Sequence, residues 1–500
     1  MGHDCAADHI FCQCNQWRGS VQATCTQHVR CHANIASGHI GPPEAATILY
    51  IPQSLPVPWR VLRLWENLAL RSLSTRRAVD EFSVASGKPL VRVIAMGDVA
   101  LTRPPSYDAA AIFGELLPLL AGADLRIGNL EAVITTRESP SVTVGSQIRA
   151  RPQALDVLTQ AGLDVVSIAN NHVLDFGAAA LDESRSLLAS RGIDACGIAA
   201  ADGKAQLVVR TVGGLRLGFL AFCDDHAGVV ADQGTRPCVF TPESALSAIT
   251  SARRRVDLVV VQMHWGYEFT LHPLLRHRDA ARHMIEAGAH AVLCHHAHVP
   301  QGVEVWKTGV IAYGLGNAIM PSSAYLREGH EWTNRSFMLE LGLHAGGVAY
   351  LRMHPFQLGE DGRLAPLTGG LRRGLLAGLA RMSQRLADTR FLGRTERARI
   401  LFEACKVASA LNDAAARGDE QLVARAIALS LPRQRELIAY LREIPELLSY
   451  GMAMEDIATH APHAAQIRAA LERHAGILLE GPRRASALHR WQDALASRIP

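Results

Sequence analysis

The chain has 500 residues and a formal net charge of +4, and 48% of its residues are hydrophobic while 20% are charged. This length exceeds what one compact core usually holds, so we expect two domains or one large domain with appendages. The small net charge argues against a nucleic-acid-binding protein driven by bulk charge. No stretch reaches the roughly 20 apolar residues of a membrane helix, and no signal peptide is visible at the start. We therefore expect a cytoplasmic protein without a membrane span.

Residues 1–88 show little hydrophobic periodicity and are predicted to form an irregular, partly disordered leader. The first 31 residues contain Cys5, Cys12, Cys14, Cys25 and Cys31, with several histidines nearby. A zinc site is conceivable there, but the spacing includes Cys-x-Cys instead of the usual Cys-x-x-Cys pairs. A leader without metal chemistry is the favoured alternative.

Strands and helices alternate from residue 89 onward. Apolar runs predict strands at 90–96, 123–127, 163–169, 195–198, 256–262 and 289–293. Helical periodicity predicts helices at 107–121, 152–162, 179–191, 242–253 and 274–287. Paired runs around glycine-containing turns predict hairpins at 208–222, 303–313 and 337–354. Residues 89–368 are therefore predicted to form an α/β domain with a mixed sheet system and helices outside.

Residues 369–500 are rich in Ala, Leu and Arg, with helical periodicity and no strand-like runs. We expect a helical C-terminal region that serves packing or oligomerisation, with recruitment of a protein partner as the alternative.

Polar side chains cluster at the carboxyl ends of five predicted strands, where open α/β sheets usually place their active sites. The clusters are Asp98, Asn129 with Glu131, Asn170 to His172, His264 with Glu268, and His295 to His298. Carboxylate, amide and imidazole groups at a rigid sheet edge can hold metal ions. Single members have ordinary explanations, such as a turn or a core histidine. Five clusters at equivalent positions favour a metal site.

The phrases in these clusters resemble the CapA family of capsule and poly-gamma-glutamate synthesis proteins, which has the fold of the calcineurin-like metallophosphoesterases. In family order they are Gly97-Asp98, Gly128–Glu131, Ala169–Gly177, His264–Glu268, Cys294–Val299 and Tyr313–Ala318. The resemblance covers roughly residues 90–325. It implies a four-layer αββα sandwich of the metallophosphoesterase type, with a helical C-terminal appendage outside the match.

The resemblance also implies roles for twelve residues. One or two divalent metal ions (Mn, Fe or Zn) would be held by Asp98, Glu131, Asn171, His264, His296 and His298. His172 would protonate the leaving group, and Asp175 and Glu268 would complete the catalytic set. An anionic substrate would be bound by Arg149, Asn170 and Asn317. The implied function is a metal-dependent hydrolase of a phosphoester or an anionic polymer. The alternative is a non-catalytic accessory protein that binds an anionic polymer or recruits a partner enzyme.

The chain departs from the metallophosphoesterase pattern at two informative positions. Ala100 stands where those enzymes have a histidine, and Glu131 stands where they have an aspartate. Cys294, Ala297 and Ala318 also replace the Gly, Pro and aromatic residue of the family phrases. Ala100 and Glu131 bear on how many metal ions the site can hold. Cys294 and Ala297 bear on the shape of the histidine loop.

Overall fold

The computed structural model describes residues 81–84, 90–102, 104–141, 147–200, 202–224, 234–320, 332–396 and 399. Residues 1–80 and 85–88 of the predicted leader, its cysteine and histidine cluster and most of the predicted C-terminal helical region lie outside these residues. The prediction of an irregular leader up to residue 88 is wrong at Glu81–Ser83, which form a strand by pairing with Tyr350–Arg352. The strands, in chain order, are β1 (Glu81–Ser83), β2 (Val91–Val99), β3 (Leu125–Leu130), β4 (Val133–Ile134), β5 (Arg149–Ala150), β6 (Val165–Ser167), β7 (Asp194–Cys196), β8 (Val208–Val212), β9 (Leu215–Cys223), β10 (Leu258–His264), β11 (Ala291–His295), β12 (Val303–Trp306), β13 (Gly309–Ala312), β14 (Asn317–Ile319), β15 (Arg335–His344), β16 (Gly347–Leu358) and β17 (Leu364–Pro366). The helices are α1 (Ala109–Phe113), α2 (Leu117–Ala121), α3 (Ala154–Gln160), α4 (Ala178–Ser190), α5 (Pro242–Ala252), α6 (Leu275–Glu286) and α7 (Gly369–Arg385).

Two large sheets dominate the described part of the chain. The first has the order β1-β16-β15-β2-β3-β6-β7, with β14 beside β2 and β17 beside β16. The second has the order β12-β13-β11-β10-β9-β8. The parallel strands of each sheet include β2, β3, β6 and β7 in the first and β9, β10, β11 and β13 in the second. All three predicted hairpins are confirmed as antiparallel pairs.

The central strands are apolar on both faces, which explains their continuous apolar runs in the sequence. In β10, Leu258 and Val260 face the core between the two sheets. The alternate residues Val259 and Val261 face the helices outside the second sheet. Strand β10 therefore contributes to two cores, and its terminal residue His264 is polar.

Helices cover the outer face of each sheet. Ile112 of α1 and Leu181 of α4 share a core with Ile94 of the first sheet. Ile249 of α5 and Met284 of α6 share another core with strand β10 of the second sheet. The resulting order of layers is helix, sheet, sheet, helix, which confirms the predicted αββα sandwich.

The predicted helix 107–121 is wrong as one continuous element. Residues 114–116 form a short 3-10 helix between α1 and α2. Gly114 has a φ of 49°, a left-handed backbone that ends α1. Pro118 lies in the first turn of α2, where a missing backbone N–H is tolerated. A glycine and a proline thus split a segment whose apolar spacing alone suggests one helix.

Helix α7 lies at the edge of the sandwich, where it contacts β16 of the first sheet and β12 of the second. Ser383 Oγ accepts a hydrogen bond from the backbone N–H of Val303 at 2.9 Å. Residues 389–396 are also helical. Among the described residues, no helix is both long and apolar enough to cross a membrane.

Candidate metal centre

Two neighbouring strands of the first sheet bring Asp98, Asn129 and Glu131 together. Asp98 is paired with Asn129 between β2 and β3, and Glu131 directly follows β3. The Asn129 side-chain amide donates a hydrogen bond to Asp98 Oδ1 at 2.9 Å. All three side chains are fully buried. Their burial in an otherwise apolar interior requires compensating partners, because unpaired buried carboxylates are costly.

A β-bulge directs Asp98 into this centre. The pairing of β2 with β3 shifts between Ala95 and Asp98, and such a bulge changes the direction of the side chains that follow it. Gly97 lies so close to the next loop that a Cβ there would be 1.8 Å from the carbonyl oxygen of Gly316. The Asp98 N–H donates to the same oxygen at 2.9 Å. Only a residue without a Cβ permits this approach.

The second sheet supplies the imidazoles. His264 ends β10 and His295 ends β11, and His296 and His298 follow β11 in the loop. Two overlapping groups have possible ligand atoms within 4.8 Å of one another, namely Glu131 with His264 and His296, and Asp98 with Glu131 and His298. The donors come from both sheets and meet in the space between their carboxyl ends. The buried set of carboxylates and imidazoles is compatible with metal binding.

Glu131 lies between the two groups. Its Oε1 atom is 3.5 Å from His264 Nε2 and 3.8 Å from His298 Nε2. Both Glu131 carboxylate oxygens are buried, and neither accepts a hydrogen bond from a described residue. Burial raises the pKa of Glu131 well above its usual value, and the charges of Asp98, Glu268 and Asp175 raise it further. A cation would satisfy these oxygens and reverse that shift.

The pKa of Asp98 is shifted in the opposite direction from that of Glu131. Burial raises the pKa of its carboxyl, but a hydrogen bond from His295 and the charges of His295 and His298 outweigh burial and lower the pKa overall. His295 Nδ1 lies 3.1 Å from Asp98 Oδ1. The backbone N–H of His296 donates to Asp98 Oδ2 at 3.3 Å. Asp98 is therefore an ionised carboxylate beside Glu131, whose ionisation is unfavourable without a cation.

Asn171 extends the first group. Its Oδ1 atom accepts a hydrogen bond from His264 Nε2 at 2.7 Å. An amide oxygen and an imidazole nitrogen this close can share one cation once the nitrogen has lost its proton. All six residues that the family resemblance implies as metal ligands are thus part of one connected cluster.

Asn317 and Asn170 are buried beside the cluster. Asn317 Oδ1 lies 2.9 Å from His298 Nδ1, and its amide donates to the backbone oxygen of Thr333 at 2.9 Å. Asn170 donates to the backbone oxygen of Leu130 at 2.8 Å. Asn317 therefore orients a possible ligand histidine, as outer groups of metal sites usually do. The predicted role of Asn170 and Asn317 in substrate binding stays a prediction.

His172 and Asp175 form a dyad. His172 Nδ1 lies 2.8 Å from Asp175 Oδ2, which also accepts the backbone N–H of Ile148 at 2.7 Å. The carboxylate fixes the Nδ1 proton, so Nε2 is the nitrogen that can exchange a proton with a substrate. The Asx turn expected as an ordinary alternative also exists, because Asn170 Oδ1 accepts the His172 N–H at 3.1 Å. The turn and the dyad therefore coexist.

Arg149 and Glu268 lie on loops and strand ends that border the cluster. Arg149 donates to the backbone oxygen of Arg137, and its guanidinium lies 5.8 Å from the centroid of the Phe176 ring. Glu268 is half-buried, and its charge is close enough to raise the pKa of Glu131. Neither residue is a member of the two close ligand groups.

Three residues around the cluster have a left-handed backbone that is unusual for residues other than glycine. They are Phe269 with a φ of 61°, His296 with 82° and His298 with 55°. Such conformations cost on the order of 1–3 kcal/mol each and persist where neighbouring contacts impose them. No pattern in the sequence indicates this strain.

The cluster is supported by contacts that are visible only in the folded structure, made by Asn129, His295 and Asp224. Asn129 and His295 belong to polar clusters of the sequence, but their pairing with Asp98 depends on the sheet register. Asp224 follows β9 and accepts the backbone N–H of Gly266 at 3.0 Å, which fixes the turn after His264. An Asp at a strand end was the available signal, but no family phrase includes it.

Residues 92–322 match the family model described as bacterial capsule synthesis protein PGA_cap. The chain is 28% identical over 257 residues to the PGA biosynthesis protein CapA of Bacillus subtilis, covering 50% of this chain and 66% of that protein. It is 28% identical over 276 residues to the capsule biosynthesis protein CapA of Bacillus anthracis, covering 53% of this chain and 65% of that protein. The chain thus spans slightly less than two thirds of the length of these relatives.

A further relative is a "probable polyglutamine synthesis accessory protein" of Mycobacterium tuberculosis, which is 28% identical over 271 residues, or 49% of this chain and 71% of that protein. Among solved structures, the 5'-nucleotidase precursor of Thermus thermophilus has a TM-score of 0.35 and 13% identity, covering 59% of each chain. The 5'-nucleotidase of Candida albicans has a TM-score of 0.34 and 10% identity, covering 66% of this chain and 60% of that chain.

Proposed function

Residues 92–322 belong to the bacterial capsule synthesis protein family, and we propose that they form a metal-dependent hydrolase domain that acts on an anionic substrate. One observation carries this proposal. The Glu131 carboxylate is fully buried, lies within reach of three imidazoles and has no hydrogen-bond donor among the described residues. A folded protein retains such a group where a cation completes it.

The residues that would hold the metal fall into two groups that share Glu131. His264, His296 and Asn171 would complete one position, while Asp98 and His298 would complete the other. Mixed oxygen and imidazole donors suit Mn, Fe or Zn better than Mg or Ca. The chemistry that a divalent ion supplies in such a site is polarisation of the substrate and activation of water.

The protein's own side chains would supply the proton and the orientation. His172 would protonate the departing group through Nε2, an oxygen in a phosphoester or a nitrogen in an amide-linked polymer, because Asp175 holds the proton on Nδ1. Arg149 would bind an anionic group of the substrate with its planar guanidinium. Glu268 would line the site next to Glu131. Asn170 and Asn317 would contact the substrate and, through their buried hydrogen bonds, would position the loops that carry the proposed ligands.

The names of two relatives support the proposed substrate class. Two of them are named for capsule or PGA biosynthesis, so we propose an anionic polymer such as poly-gamma-glutamate, or a phosphoester related to its synthesis, as the substrate. A role of the C-terminal helical region in recruiting a protein partner belongs to the same proposal.

A non-catalytic role is the second candidate. It is favoured by the name of the Mycobacterium tuberculosis relative, which describes an accessory protein. It is also favoured by Ala100, which removes a histidine that the metallophosphoesterase pattern places two residues after Asp98. In this case the cluster would be a binding site for an anionic polymer, or a relic of a catalytic site, and would not hydrolyse the polymer.

Metal analysis and an esterase assay on the full chain separate these functions. We expect stoichiometric Mn, Fe or Zn and hydrolysis of a nitrophenyl phosphodiester by the wild type, and loss of both in His298→Ala. His290→Ala is the matched control, because His290 precedes β11 and binds the Val259 N–H at the opposite end of the same sheet. Polyglutamate binding by a wild type that holds no metal and shows no turnover would support the accessory role and contradict the hydrolase. A wild type that binds neither metal nor polyglutamate would contradict both.

A further inference from the structure

Residues 386–399, here called the C-terminal arm, follow the matched family region but are buried against the domain. Buried members among the described residues of the arm are Leu386, Phe391, Leu392, Thr395, Glu396 and Arg399. A glutamate and an arginine are almost never buried without specific partners. The arm therefore has defined contacts with the domain.

Glu396 of the arm caps helix α6. The backbone N–H of Leu275, the first residue of α6, donates to Glu396 Oε2 at 3.0 Å, and Arg276 Nη1 donates to Oε1 at 3.0 Å. The local N-cap residue Leu274 offers no side-chain hydrogen bond. Glu396 thus supplies the carboxylate that favours a helix N-terminus, from a position 121 residues further along the chain.

A second contact fixes the beginning of the arm to the same helix. The buried Arg278 side chain donates from Nη1 to the backbone oxygen of Leu386 at 3.0 Å and to Thr389 Oγ1 at 3.2 Å. Its other nitrogens bind Asp279 Oδ1, which balances the charge. Helix α6 and the arm are therefore joined at two separate points.

The arm also packs on residues 265–274, here called the site loop, which connects His264 to α6. The rings of Phe391 and His272 meet edge to face, with centroids 4.9 Å apart. Burial and the charge of Arg385 lower the pKa of His272 to about 3. The imidazole is therefore neutral and packs against Phe391 as an uncharged ring. The Arg399 guanidinium lies 5.5 Å from the centroid of the Tyr267 ring.

The site loop in turn contacts the loop that carries two possible ligands. The Phe269 N–H donates to the backbone oxygen of Ala297 at 2.8 Å, and Ala297 lies between His296 and His298. Gln301 Nε2 donates to the backbone oxygen of Thr270 at 2.6 Å. Both loops contain left-handed residues, so their shape depends on contacts that hold them in place.

From this chain of contacts, we propose that the C-terminal arm is a positioning element of the candidate metal centre. Glu396 and Phe391 hold the site loop, and the site loop holds the histidine loop in the geometry that binds metal. The inference rests on the proposed metal-binding function. According to this inference, the arm lies outside the family match and does not contact the metal, yet it affects the affinity of the site for metal.

The test compares two arm variants with a matched control in the full chain. Glu396→Gln keeps the side-chain shape but removes the charge at the α6 N-terminus, and Phe391→Leu is a milder change that keeps the site apolar. Glu286→Gln is the control, because Glu286 is a carboxylate at the other end of α6, where it is partly exposed and paired with Lys307. Two quantities are measured: the Mn²⁺ dissociation constant by calorimetry, and hydrogen exchange of the metal-free protein.

We expect Glu396→Gln to weaken Mn²⁺ binding on the order of tenfold, as changes behind metal ligands commonly do, and Phe391→Leu to weaken it less. Exchange at residues 267–272 and 296–299 should accelerate in both arm variants and stay unchanged in Glu286→Gln. Equal losses of affinity in the arm variants and the control, or unchanged exchange at 296–299 in the arm variants, would overturn the proposal. Because exchange is measured without metal, a wild type that binds no Mn²⁺ would refute the metal site while the exchange result still decides the role of the arm.

Discussion

Replacing Glu131 by glutamine should change the stability of the protein in opposite directions with and without a divalent metal. In the metal-free protein the carboxylate is buried, and neither oxygen accepts a hydrogen bond from a described residue. Glutamine has nearly the same shape and carries no charge. We therefore expect Glu131→Gln to stabilise the metal-free protein, which is the reverse of the usual effect of a core substitution.

The size of the gain follows from the burial of the group. A buried polar group without partners costs about 1–3 kcal/mol, and more when it is charged. A gain of that size corresponds to a rise of about 2–4 °C in Tm per kcal/mol for a large domain.

The gain also depends on pH. The folded pKa of Glu131 lies well above the usual value of 4.5, so the folded state binds more protons than the unfolded state between the two values. The free energy of unfolding of the wild type therefore falls as the pH rises through that window. Glutamine does not titrate, so its advantage should be larger at about pH 8 than at about pH 5.

Bound metal should reverse the order of stability, so that the wild type becomes more stable than Glu131→Gln. A ligand at 100 times its dissociation constant stabilises the folded state by about 2.7 kcal/mol. Glu131 belongs to both ligand groups, so the variant should lose most of this term.

Calorimetric unfolding in EDTA and in excess MnCl₂ provides the measurement, at both pH values. Glu286→Gln is the control, because Glu286 is a partly exposed carboxylate paired with Lys307 and should behave alike in both buffers. Equal destabilisation by Glu131→Gln with and without Mn²⁺ would refute the reasoning, since it would make Glu131 a structural residue.

Three further predictions concern separate features of the domain. Asn317→Ala should weaken metal binding by about 10- to 100-fold in a calorimetric titration, because it removes the partner of His298. Asn317→Asp keeps an oxygen at that position and should restore the affinity. Equal effects of the two substitutions would contradict the orienting role. His172→Gln should lower phosphodiester turnover by about 10² to 10⁴ without loss of bound metal, and Asp175→Asn should act in the same direction; a parallel loss of metal would assign the dyad to metal binding. Glu340→Gln should destabilise the protein by about 3–5 kcal/mol near neutral pH. Hydrogen bonds from cationic and polar neighbours outweigh burial and lower the pKa of Glu340 to about 2, so this stabilisation should disappear in the wild type as the pH falls from about 4.5 toward 2; acid unfolding curves of variant and wild type that stay parallel would contradict this origin.

The central strands, the helices outside them and the position of the cluster could be predicted from local patterns in the sequence, whereas the four-layer order was implied by the family resemblance. Apolar runs of strand length mark the central strands, and polar residues at their ends must meet where parallel strands end together. Strands β1, β4, β5, β14 and β17 were not predicted, because each has only two or three residues and is defined by its partner. β14 is informative, since it places Asn317 beside Asp98 by pairing with β2.

The supporting contacts of the site could not be predicted for a different reason. His295 and Asn129 act on Asp98 through the register between strands, and Glu396 reaches α6 from a distant segment. No periodicity or spacing encodes such contacts. The left-handed backbone of Phe269 and of two histidines is also invisible in the sequence, because those residue types rarely adopt it.

The division of the ligand groups between the sheets links metal binding to the packing of the sandwich. Asp98, Glu131 and Asn171 lie at or after the ends of strands of the first sheet, whereas the three histidines proposed as ligands lie at or after the ends of strands of the second. Near the cluster, Asn129 Nδ2 and His264 Nδ1 are 3.2 Å apart, a direct polar contact between the sheets. A bound cation would therefore join the two sheets at the edge where their apolar core ends, and part of its binding free energy would stabilise their contact. The same coupling would make metal affinity depend on the contacts that hold the loops of the second sheet in place, including those of a distant segment that touches no proposed ligand.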